Sequence, residues 1–181
     1  DNIFLLGEDL DYEPAPEKSV RAIAAQRGVD PWEVAYDAML GDDGHAFLLW
    51  PFLNYADGCY DGLLEMLEDP VSVFGVADAG AHVGIICDAT MPTFMLTHWV
   101  RDRERGRRIP LEEAVRRLTS DTAQLYGLND RGVLAPGRKA DCNVIDLPRL
   151  RLGRPEQIHD LPGGAGRLVQ RAEGYIATLV S

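Results

Sequence analysis

Residues 76–84 read Val-Ala-Asp-Ala-Gly-Ala-His-Val-Gly, so that a carboxylate, Asp78, stands at the end of an apolar run with a histidine, His82, four residues on. At the carboxyl end of a buried strand, a carboxylate points into the crevice shared by neighbouring strands. There it can bind a metal ion or take a proton from water. The spacing leaves a plainer alternative open, in which Asp78 satisfies the amides of its own loop and His82 is a packed loop residue. The other histidines, His45, His98 and His159, are isolated, and no His-x-His occurs. Cys59, Cys87 and Cys142 form no Cys-x-x-Cys pair, so neither a disulfide framework nor a thiolate zinc site is encoded. Cys87 beside Asp88 lacks a histidine at a motif spacing and reads as a packed thiol. Gly163-Gly164-Ala165-Gly166 lacks the lysine and helix of a phosphate loop and reads as a turn.

The elements that must position Asp78 follow from periodicity. Apolar Val20, Ile23 and Ala24 with the stem of Arg27 predict a helix over 16–28 closed by Gly28. Asp30-Pro31-Trp32-Glu33 reads as N-cap, first-turn proline and N3 acid of a second helix that ends at Gly41. Residues 46–50 are continuously apolar and too short for a helix, which predicts a strand buried on both faces. A helix holding Leu63, Leu64, Met66 and Leu67 stops before Pro70, and 71–77 is a second β-branched run. Together these predict a β-α-β unit with a parallel sheet. The next helix begins at Pro110 and runs to Gly127, which leaves about 30 residues after Ala77 as a long connection of the functional kind. Further on, 132–134 and 140–146 read as short strands around a Pro136-Gly137 turn suited to type II, and 151–181 holds the strands of a small β unit.

Composition restricts the partners. The chain has 181 residues, 46% hydrophobic and 26% charged, as a globular domain does, and its net charge of −11 disfavours nucleic acid and anionic membrane. The length holds a sizeable core but falls short of the roughly 250 residues of a complete α/β barrel. The unpaired cysteines and the acidic first residues predict a cytoplasmic protein without a signal peptide. The start at Asp1 suggests a piece of something larger.

Several motifs carry a resemblance. Ala77-Asp78-Ala79-Gly80-Ala81-His82, Thr93-Phe94 followed by His98-Trp99-Val100-Arg101-Asp102-Arg103, and the stretch 110–119 are similar to segments of the amidohydrolase superfamily, and within it of the N-acyl-D-amino-acid deacylases (D-aminoacylases). So are Asp130-Arg131-Gly132 through Pro136-Gly137 with Ala140-Asp141, and His159-Asp160-Leu161-Pro162 with Leu168-Val169-Gln170-Arg171. The resemblance implies that 1–127 is the C-terminal part of a metal-dependent (β/α)8 barrel and that 128–181 supplies strands of an accessory β-sandwich. It implies one or two divalent metals, usually zinc, with Asp78 the only position here that matches a family ligand. Asp78 would deprotonate the attacking water and pass the proton to the leaving amine. Where the family usually has Ser-Asp-Gly, this chain has Ala77-Asp78-Ala79. His82 and His98 would line the substrate pocket, each with a structural role as the alternative, and Arg101 would bind the carboxylate of an N-acyl amino acid as a bidentate fork. Arg103, Arg105, Arg107 and Arg108, interleaved with Asp102 and Glu104, read as a solvated face. The other metal ligands would precede Asp1, so the piece alone is expected to be inactive. Competing readings are a hydantoinase or dihydroorotase relative, and a non-catalytic fragment that self-associates or pairs with a missing N-terminal part through exposed sheet edges.

Overall fold

The computed structural model describes residues 2–51, 53–75, 84 and 88–181. The chain divides into two compact units, Asp1–Met66 and Leu67–Ser181.

In the first unit, β1 (Phe4–Leu6) pairs antiparallel with β2 (Phe47–Leu49), Phe4 opposite Leu49 and Leu6 opposite Phe47. Helices α1 (Val20–Arg27) and α2 (Pro31–Met39) pack beside them. The Ser19 side chain accepts from the Ala22 amide and Asp30 from the Trp32 amide, which satisfies donors that each helix leaves orphaned at its start. Gly28 closes α1 in the left-handed region. Val20 and Ala24 meet Val34 and Ala35 in a buried cluster, flanked by Ile3, Ile23, Val29 and Leu48. A second buried group forms around Tyr55, whose ring stands edge-on to Phe4 and Tyr60 and whose hydroxyl donates to the Pro14 carbonyl at 2.5 Å. The buried Glu13 accepts from the Tyr60 amide at 2.8 Å, just ahead of α3 (Asp61–Glu68).

The parallel β-α-β unit expected here is not what pairs: β2 takes β1, about 40 residues upstream, as an antiparallel partner. An apolar triplet specifies a strand without specifying its neighbour's direction, and β2 is half-buried rather than buried on both faces as expected. Residues 71–75 form no strand, and the rest of that predicted strand, 76–77, lies outside the described residues.

In the second unit, α4 (Met91–Phe94) continues directly into a π-helix, Met95–Asp102. This stretch is helical rather than part of a long connection, and Pro92 in the first turn with Met95, Leu96 and Trp99 at helical spacing are its signals. The expected helix from Pro110 to Gly127 is two, α5 (Leu111–Leu118) and α6 (Ser120–Leu125). They break at Thr119, where the Thr119 and Ser120 hydroxyls donate back to the carbonyls of Val115 and Arg116 and so compete with the helix. Strand β3 (Cys142–Ile145) pairs antiparallel with β6 (Tyr175–Leu179), and β4 (Arg151–Ile158) with β5 (Arg167–Glu173). The β4–β5 register shifts between Leu152 and Pro155, as suits a proline that has no amide to donate. Residues 132–134 are not a strand. The turn after them is as expected: the Arg138 amide donates to the Ala135 carbonyl, and Gly137 takes the positive φ of 81° that type II requires.

The helices of this unit are bonded to its strands. Thr90 donates to the Gln170 side chain, and the Thr93 and Tyr175 hydroxyls lie 2.8 Å apart. These contacts join residues 91–125 to the strands of the same compact unit.

Candidate functional site

Asp78 and His82, the predicted catalytic carboxylate and its neighbouring histidine, lie outside the described residues, as does Cys87. The part of the candidate site that is described is the π-helix. Widened backbone turns of this kind are frequent at functional sites.

His98 sits on this element between two aromatic rings. Its imidazole lies parallel to Phe94, 4.6 Å between centroids with 7° between planes, and edge-on to Trp99 at 5.2 Å. Met95, Leu96 and Trp99 on the same element are buried. The two rings fix the imidazole plane, so His98 has a defined orientation whether it meets a substrate or only packs.

Arg101 has a different occupation from the carboxylate fork expected of it. Its guanidinium donates to the backbone carbonyl of Leu147 and, at 2.8 Å, to that of Leu150, in the turn between β3 and β4. Nε and the second terminal nitrogen also donate to Asp102, at 2.6 and 2.7 Å. The hydrogen bonds that Arg101 donates to Asp102 raise the Arg101 pKa above its ordinary value against a smaller opposing effect of burial, so the cation is permanent. Arg101 thus ties the π-helix to the β-strands.

Arg103 corrects the expectation of a solvated face. It is only 1% exposed, with its guanidinium 4.8 Å above the Trp99 ring centroid and one terminal nitrogen donating to the Arg107 carbonyl at 2.9 Å. The Arg108 side chain donates to the Arg103 carbonyl, which closes the 103–108 loop on itself. Arg107 and Arg108 are exposed, as expected, and Arg107 pairs with Glu68. Alternating charge hid Arg103, because burial of an arginine over an indole leaves no trace in charge spacing.

Among the described residues, no group of three or more His, Cys, Asp or Glu side chains is placed to hold a metal ion, so the zinc expected from the resemblance has no described ligand set. No described helix is long and apolar enough to cross a membrane.

Compared with models of known protein families, the chain matches that of the amidohydrolase family over residues 7–180. No curated protein and no solved structure matches it.

Proposed function

The chain belongs to the amidohydrolase family, and from that premise we propose that it forms part of an enzyme that hydrolyses the amide bond of N-acyl-D-amino acids to a carboxylate and a free D-amino acid. The family match makes it a hydrolase of that superfamily. The observation that carries the finer reading is the run Ala77-Asp78-Ala79-Gly80-Ala81-His82, together with Thr93-Phe94 and His98 through Arg103 downstream. In this reading Asp78 accepts a proton as water adds to the amide carbon. It returns that proton to the nitrogen as the C–N bond breaks, so the water supplies the new C–O bond and the amine's new N–H. Acid–base work of this kind is worth roughly 10²–10⁴ in rate.

The family generally uses divalent metals, and the described residues do not fit one. The reading assigns zinc to side chains other than these. With four isolated histidines, it also takes further ligands from polypeptide outside this sequence. The (β/α)8 barrel and its β-sandwich belong to the same proposal.

One observation favours a second reading. The cation that would single out an acyclic N-acyl amino acid, Arg101, is committed to backbone carbonyls, and a cyclic amide such as a hydantoin needs no such cation. The two are separated by incubating the enzyme with N-acetyl-D-amino acids, their L counterparts and a 5-substituted hydantoin, with chiral chromatography of the products. Release of free D-amino acid supports the reading; ring opening of the hydantoin alone overturns it.

A further inference from the structure

Helix α2 is apolar on two sides. Val34 and Ala35 are buried against α1, while Trp32, Tyr36, Met39 and the capping Leu40 are 75%, 61%, 44% and 58% exposed. Positions 32, 36, 39 and 40 recur at helical spacing, so they form one continuous outward stripe. Aromatic residues and methionine on such a stripe are the side chains enriched where proteins meet.

Charge decides what fits. The unit that carries α2, residues 1–66, has 14 acidic side chains and 3 basic ones, net −11, whereas residues 67–181 have 15 of each. The chain's whole net charge therefore lies in the first unit. Between Gly28 and Met66 there is no lysine or arginine, and the stripe is rimmed by exposed Asp30, Glu33, Asp37, Asp42 and Asp43. A second copy would bring like charge against like, and an anionic membrane would be repelled.

We propose that the outward face of α2 docks a basic amphipathic helical segment of a partner protein, with apolar residues on Trp32, Tyr36 and Met39 and Lys or Arg meeting the acidic rim. This is a helix-on-helix contact with apolar anchors every three or four residues and steering from charge. It does not rest on the reading of the reaction.

The test uses the whole chain and a fluorescein-labelled 18-residue peptide of Leu and Lys at amphipathic helical spacing, with a control peptide carrying Glu for Lys. Fluorescence anisotropy shows binding of the Lys peptide only. The double variant Trp32→Ser/Tyr36→Ser weakens binding at least tenfold at unchanged circular dichroism, and Glu33→Lys/Asp37→Lys does the same at low salt. Amide NMR shifts in the unmodified protein fall on residues 30–43, which keeps the test decisive if a variant misfolds. Equal binding by both variants, equal binding of the Glu peptide, or shifts lying elsewhere overturns the proposal. So does light scattering that shows a dimer which Trp32→Ser/Tyr36→Ser converts to monomer.

Discussion

Replacing Arg101 distinguishes a structural clamp from a substrate-binding fork. In Arg101→Met the stem is kept and the guanidinium lost, so the carbonyls of Leu147 and Leu150 both lose a charged donor. Hydrogen bonds to charged groups contribute about 1.5–3 kcal/mol each. The side chain keeps 30% of its surface exposed, so the lower end applies, about 3 kcal/mol for the two. The Asp102 carboxylate is 50% exposed, and its loss adds no more than about 0.5 kcal/mol. At roughly 3 °C per kcal/mol for a chain of this size, the melting temperature falls by about 10 °C. Arg101→Lys restores the charge but cannot span two carbonyls, so it recovers about half of the loss. Thermal melts followed by circular dichroism measure both variants, and hydrogen exchange should show lost protection in Arg151–Ile158. A melting temperature within about 2 °C of the unmodified protein for Arg101→Met would refute the clamp, since a fork waiting for a ligand contributes nothing to the unliganded fold.

The core of the second unit is tested at Met95, which is fully buried: Met95→Ala should cost about 2–4 kcal/mol in urea unfolding, and Met95→Leu less than about 1.5 kcal/mol. Gly174, with a φ of 101°, joins β5 to β6, and a Cβ there would stand 2.6 Å from the Leu150 Cα. Gly174→Ala should therefore destabilise by about 2 kcal/mol or more, read from the same unfolding curves. The Asp130 carboxyl is held down to about 2 by hydrogen bonds from Arg131 and then Lys139, and a carbon-detected NMR titration should find that midpoint and see it rise in Arg131→Ala. Because the folded value lies below the unfolded one of about 3.9, this carboxylate's contribution to stability is present above about pH 4 and lost as pH falls toward 2.

Much of the local structure was written in single residues. Asp30-Pro31 announced α2, Gly28 the end of α1, and Pro136-Gly137 the turn, because each satisfies a backbone requirement within a few residues. The failures lie where the partner is distant or the residue type ambiguous. Phe47–Leu49 reads as a strand from its apolar triplet, but its antiparallel pairing with Phe4–Leu6 depends on a contact more than 40 residues away. The π-helix is legible only in the buried face formed by Met95, Leu96 and Trp99, because no capping residue or turn glycine sets it off within the long stretch before Pro110. Of the predicted site, His98 and Arg101 fall on that one element, Arg101 turned to the strands and His98 held between rings. Arg103 took its place from Trp99, a partner that charge alternation does not reveal.

The most direct measurement is the turnover of N-acetyl-D-amino acids by the zinc-loaded enzyme that contains this sequence, unmodified and as Asp78→Asn. Release of free D-amino acid by the unmodified enzyme is expected, with a fall in kcat of about 10²–10⁴ in Asp78→Asn at unchanged melting temperature. Full activity in Asp78→Asn would contradict it.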